Sequence, residues 1–136
     1  MYFVSITRLR LRSIRYLPAF MWHALRSSRQ SQTSSGHVSF DSRVEAGLVF
    51  WTKTVWTEEA AMKYFRNSGA HQTAMRYLAG WCDEASYVHW VQATPESPSW
   101  DVAYQHLLQD GKLSKVKHPS PQHLAQRTAQ PLGDLL

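Results

Sequence analysis

The chain has 136 residues, 43% of them hydrophobic, a net charge of +5 and a single cysteine. That size suits one domain, and that apolar content suits a buried core, which excludes wholesale disorder. No apolar run approaches the ~20 residues of a bilayer-spanning helix, and one cysteine makes no internal disulfide, so a soluble, cytoplasmic protein with no membrane partner is expected.

The charge is unevenly placed: Arg8, Arg10, Arg12, Arg15, Arg26 and Arg29 all precede the first acid, Asp41. A basic, acid-free start is compatible with a targeting peptide or a nucleic-acid-binding face. Yet the segment carries the periodicity of folded structure and lacks the apolar core of a secretory signal. Its arginines alternate with Leu9 and Leu11, as on the wet side of a strand. A solvated face or anion-attracting rim is therefore the reading, with no nucleic-acid partner.

Tyr2–Arg12 alternates with period two, Phe3, Ser5, Thr7, Leu9 and Leu11 on one face and Arg8, Arg10 and Arg12 on the other, which predicts a strand. Leu17, Met21, Ala24, Leu25 and Ser28 then fall at helical spacing. Pro18 belongs in a first turn, so this helix starts near Arg15–Leu17 and ends in the polar run before Gly36. Val38, Phe40 and Ser42 alternate with Ser39, Asp41 and Arg43; Glu45-Ala46-Gly47 signals a hairpin; Leu48–Trp56 has strong β propensity.

Thr57 is the expected cap of the next helix, with Glu58 and Glu59 in its first turn and Ala61, Met62 and Phe65 as its apolar stripe. Past Gly69, His71, Ala74, Met75, Leu78 and Cys82 share one helical face. Asp83 and Glu84 read as a turn. The following stretch alternates again, Tyr87, His89 and Val91 against Val88 and Trp90.

The order β-α-β-β-α-β specifies an α+β ferredoxin-like plait over residues 1–93. Residues 94–136 read as a C-terminal extension. It has a short helix over about 99–110, capped by Ser99 and closed by Gly111, then an irregular or extended tail. His106, His118 and His123 lie in it and are given no role. Both faces of Leu48–Trp56 are bulky, so the second sheet face needs a cover, and a homodimer is the expected one.

The pattern WTEEAAMKYFRNSGAHQTAM, a strand-end Trp, a helix, a Phe-x-x-Ser break and a His leading an apolar helix, resembles the antibiotic-biosynthesis-monooxygenase group of dimeric α/β-barrel proteins. The carotenoid-modifying spheroidene-monooxygenase branch is distantly similar. The resemblance covers about residues 1–92. It implies a barrel of two plaits packed sheet to sheet, and oxygenation of a hydrophobic aromatic or polyene molecule without metal or flavin.

Of the single residues, His71 is the candidate catalytic base, since histidine is poised near neutral pH. The structural alternative is a buried histidine bonded to backbone. Arg66 and Asn67 are candidates to hold a substrate anion. Trp22, Trp51, Trp81, Met75 and His89 are candidate pocket walls, against the reading that they fill core. Cys82 reads as an inert buried thiol, and its isolation excludes a zinc site. No GxGxxG, phosphate loop or GxSxG elbow occurs. Three functions stay open: a cofactor-independent monooxygenase-like oxidoreductase, a haem protein with His71 as ligand, and a non-catalytic dimeric module binding a small apolar ligand.

Overall fold

A computed structural model describes residues 1–129. The elements run β1 (Tyr2–Leu11), a 3-10 turn at Ile14–Tyr16, α1 (Leu17–Thr33), β2 (His37–Glu45), β3 (Val49–Trp56), α2 (Glu59–Arg66), α3 (Gly69–Trp81) and β4 (Cys82–Gln92). After them come α4 (Trp100–Asp110), β5 (Lys112–Leu113) and α5 (Pro121–Ala129). The first four strands and their helices form the expected α+β plait. The sheet is antiparallel, in the order β2-β3-β1-β4-β5.

Several boundaries moved for identifiable reasons. The hairpin turn uses Ala46-Gly47-Leu48, because Gly47 (φ 85°) and Leu48 (φ 64°) take the left-handed conformation that reverses the chain. Thr57 does not cap α2: the cap position is Glu58, and the Thr57 amide instead donates to the Gly36 carbonyl at 2.8 Å. Cys82 opens β4 rather than ending a helix, and Asp83 and Glu84 lie in that strand rather than in a turn. Carboxylates are tolerated there because β1 supplies their partners. Arg10 grips Asp83 through two hydrogen bonds (2.9 and 2.7 Å), and Arg8 donates to Glu84 at 2.8 Å. Two arginines that read as a wet rim are thus cross-strand partners of the half-buried Asp83 and the buried Glu84.

Among the described residues the segment after α4 contains two further elements, and the rest of the expected tail, 130–136, lies outside the described residues. Lys112–Leu113 pairs with Ser86 and Tyr87 as a fifth strand. Pro121 then opens α5, where Ser120 accepts from the His123 amide (3.0 Å) and donates to Glu84 (2.8 Å). A Ser before a Pro is a helix-start signal that the Pro- and Gln-rich composition obscured.

Cross-strand register divides β1 between two layers. Val4 and Ile6 join Val49, Trp51, Val55 and Val88 on the face covered by Ala103, Trp100 and Leu107 of α4. Lys53, buried on that face, donates to the Pro98 carbonyl and lies 4.3 Å over the Trp100 ring, which ties the linker down. Within the chain α4 covers the part of the second face around Val4, Ile6, Val55 and Val88. The opposite face carries α1, α2 and α3.

Candidate functional site

Four cross-strand rows cross the sheet on the face under α1–α3. Phe3 and Trp56 form the first row. Ser5, Thr54 and His89 form the second, Thr7, Thr52 and Tyr87 the third, and Leu9, Phe50 and Ala85 the fourth. The outer rows belong to two separate apolar clusters, one with Met62 and Phe65, the other with Phe20, Leu11 and Cys82. The polar band separates them. Although β1 is the middle strand, Ser5 and Thr7 keep partial solvent exposure, so the helix layer does not seal the band. The hydroxyls of Ser5, Thr7 and Thr52 make no hydrogen bond to a described residue.

From the helix side, His23 Nδ1 and Ser27 Oγ, one turn apart on α1, are buried and unpartnered among the described residues. Buried polar atoms without partners cost ~1–3 kcal/mol each. The His23 ring lies 5.4 Å from Tyr77 and 5.6 Å from Trp81, which places it at the contact between α1 and α3.

At the β4 edge the band opens into a pocket of about 280 Å³ lined by Arg66, Tyr87, Val88, His89, Asp110 and Lys112. β5 pairs only with Ser86 and Tyr87, so the edge beyond them is free for this opening. Burial, aided by the nearby Arg66 charge, pushes the His89 imidazole down to about 4. It is a neutral base at pH 7. Burial raises Tyr87, which stays a phenol. The two rings lie 5.1 Å apart, and Phe3 lies 5.1 Å from His89 on the other side.

His71 sits at the α2–α3 corner, half-buried, its ring 4.6 Å from Phe65, which stacks on Trp56. Its Nδ1 is 3.1 Å from the Arg66 carbonyl oxygen. A carbonyl only accepts, so Nδ1 carries the hydrogen and Nε2 the lone pair. Burial also lowers the pKa of this ring. Gln30 of α1 braces the corner, accepting from the His71 amide (2.9 Å) and donating to the Ser68 carbonyl (2.8 Å). Gly69 suits this corner because its φ of 54° lies in the left-handed region that L side chains rarely adopt.

Of the residues singled out from sequence, Arg66 and His89 meet at the pocket, and His71 anchors the backbone that carries Arg66. The others are dispersed. Asn67 is exposed, its Oδ1 3.4 Å from Arg66 Nε. Trp22 is 61% exposed on the outer face of α1, and Met75 is 46% exposed. The buried stripe of α3 is centred on Ala74, which turns Met75 ~100° away. Trp81 stacks between Tyr16 and Tyr77 at the far end of α3. Trp51 belongs to the opposite face, against Trp100 and Tyr104, its Nε1 bonded to Glu45 (2.5 Å). Trp22, Met75, Trp81 and Trp51 therefore do not wall a common cavity with His71. The band residues Ser5, Thr7, Thr52 and Tyr87 had not been singled out. Their signal was present: Ser5 and Thr7 interrupt the core-facing side of β1.

The fold has known counterparts. A protein of Nitrosomonas europaea, given provisionally as an antibiotic biosynthesis monooxygenase, superposes with a TM-score of 0.62 at 18% identity, over 69% of this chain and 92% of its own. SnoaB of Streptomyces nogalater, described as a cofactor-independent oxygenase, covers 70% of this chain and 98% of its own (TM-score 0.56, 16% identity). The chain has the antibiotic biosynthesis monooxygenase fold. A further protein described by that name matches 69% of this chain and 100% of itself (TM-score 0.60, 10% identity). In each case the uncovered share has about the length of the C-terminal segment. No protein-family model and no curated protein matches the sequence.

Proposed function

We propose that the chain is a monooxygenase-like oxidoreductase that binds a small, largely hydrophobic phenolic or enolic molecule in the cleft over the polar band. The observation that carries this reading is the band itself: unpaired hydroxyls and a neutral His89 between two apolar clusters, opening beside Arg66. The apolar walls take a ring system, and the hydroxyls orient its oxygens. Neutral His89 accepts a hydrogen bond from the hydroxyl of the bound molecule, and the Arg66 guanidinium stabilises the anion formed when that proton passes to solvent through the opening. His71 acts as a positioning residue, because its Nδ1–H holds the Arg66 carbonyl.

An electron-rich carbanion or phenolate reduces dioxygen directly. One electron passes to O2, the radical pair combines at carbon, and the hydroperoxide loses water to leave a carbonyl. Substrate plus O2 gives quinone plus water, with no external reductant. The solved neighbour described as a cofactor-independent oxygenase supports the absence of a bound cofactor in this scheme. The haem reading gains no supporting observation, since the His71 ring packs on Phe65.

The test is oxygen uptake with 1-naphthol as a probe phenol, comparing the wild type with His89→Gln and Arg66→Met. Uptake lost in both variants, with binding weakened mainly in Arg66→Met, is the expected outcome. Binding of the probe with no uptake would favour the non-catalytic ligand-binding module instead.

A further inference from the structure

The outer face of α1 and of the 3-10 turn that leads into it carries features that the cleft does not use. Ile14, Pro18, Met21 and Leu25 recur at offsets of four, seven and eleven, and Arg15, Trp22, Arg26 and Arg29 at offsets of seven, eleven and fourteen. At ~100° per residue along α1, Pro18, Met21 and Leu25 form one outward row and Trp22, Arg26 and Arg29 an adjacent one, with Ile14 and Arg15 preceding them in the 3-10 turn. All eight side chains are exposed, and the large apolar ones are 47–70% so. A helix that packed only against its own domain would show polar residues there.

A second observation concerns charge. Arg12 and Arg15 both donate to the single phenol oxygen of Tyr16, at 2.5 and 2.7 Å. Neither has a carboxylate partner among the described residues, and neither have Arg26 and Arg29. Two guanidinium groups held on one oxygen repel each other unless an anion joins them. The first 40 residues contain no acid that could supply it.

We propose that this face docks on an anionic lipid surface, with Ile14, Met21, Trp22 and Leu25 entering the interfacial layer. The arginines then meet headgroup phosphates. Charge complementarity selects this occupant. A second copy of the chain would bring like-charged rows together. Nucleic acid would satisfy the arginines but find neither stacking nor hydrogen bonds in the aliphatic row. A membrane interface satisfies both rows at once, with tryptophan at headgroup depth. No described helix is long and apolar enough to cross a membrane, so the contact is peripheral.

Flotation of the full chain with phosphatidylcholine vesicles, with and without phosphatidylserine, tests it. Binding is expected only with phosphatidylserine, and to weaken as salt is added. At ~5-fold per arginine, Arg26→Glu/Arg29→Glu weakens it ~25-fold or more, and Trp22→Ser/Leu25→Ser abolishes the salt-resistant part. The altered side chains are exposed, so circular dichroism and Tm should stay unchanged; Arg26→Gln/Arg29→Gln is the milder second variant. Absence of flotation, equal flotation on both vesicles, or variants that bind like the wild type would each overturn the proposal. Arginine-dependent capture of a single-stranded RNA oligonucleotide in preference to vesicles would overturn it as well.

Discussion

His89 makes the stability of this protein depend on pH in a way that a single substitution isolates. In the unfolded chain the imidazole titrates near its ordinary ~6.5, whereas in the cleft burial holds it at about 4. Between those values the unfolded chain binds a proton that the folded chain refuses. Stability from this group is therefore complete above about pH 6.5, falls as pH drops, and levels below about 4. The gap corresponds to ~3 kcal/mol at ~1.4 kcal/mol per pH unit. Part of the ring meets solvent, so screening reduces this to ~1–2 kcal/mol. His71 and His37 are lowered in the same direction and steepen the acid limb of the wild type. The difference between wild type and His89→Gln removes their share. Urea denaturation from pH 7 to pH 4.5 should show the wild type losing ~1–2 kcal/mol more than the variant. Parallel acid limbs, or a His89 ring resonance titrating at 6.5 or above by NMR, would refute the placement of this ring in a desolvated cleft.

Other substitutions probe the two sheet faces. Thr7→Val and Thr52→Val exchange an unpaired hydroxyl for a methyl of the same shape. Calorimetry should give an unchanged or raised Tm, while the Kd of a cleft ligand rises up to ~10-fold per substitution. Glu84→Ala leaves Arg8, Arg10 and Ser120 facing an empty site, and should cost ~3 kcal/mol in denaturant titration. Ala103→Glu puts an unpaired carboxylate into the fully buried centre of the α4 contact, and should lower stability by ~3–5 kcal/mol. Ending the chain at Ala93 strips α4 from Val4, Ile6, Val55 and Val88, and light scattering should then report a larger assembled mass per chain than the full-length protein gives.

Element type was legible wherever periodicity was strong. β1 alternates, α1 carries Pro18 in its first turn, and Ser99 and Gly111 bracket α4 as their chemistry requires. Failures occurred where tertiary partners override local preference. Asp83 and Glu84 have low strand propensity, but Arg10 and Arg8 neutralise them from the neighbouring strand, which no local window reveals. Likewise α5 depends on Ser120 meeting Glu84, thirty-six residues earlier in the chain. The site was only partly visible. Histidines and tryptophans draw notice because they can do chemistry, yet Trp51 and Trp22 were sent to opposite sides of the molecule by strand parity and helix phase. Ser5 and Thr7 looked ordinary, and only the register that aligns them with Thr52, Thr54, Tyr87 and His89 makes them a band.

The most direct test of the cleft as the ligand site is an NMR titration of the His89 and His71 ring resonances with 1-naphthol. Saturable shifts at His89, reduced in Thr7→Val, with His71 moving little, are predicted. Shifts confined to His71, or none at either ring while the probe binds elsewhere, would contradict the account.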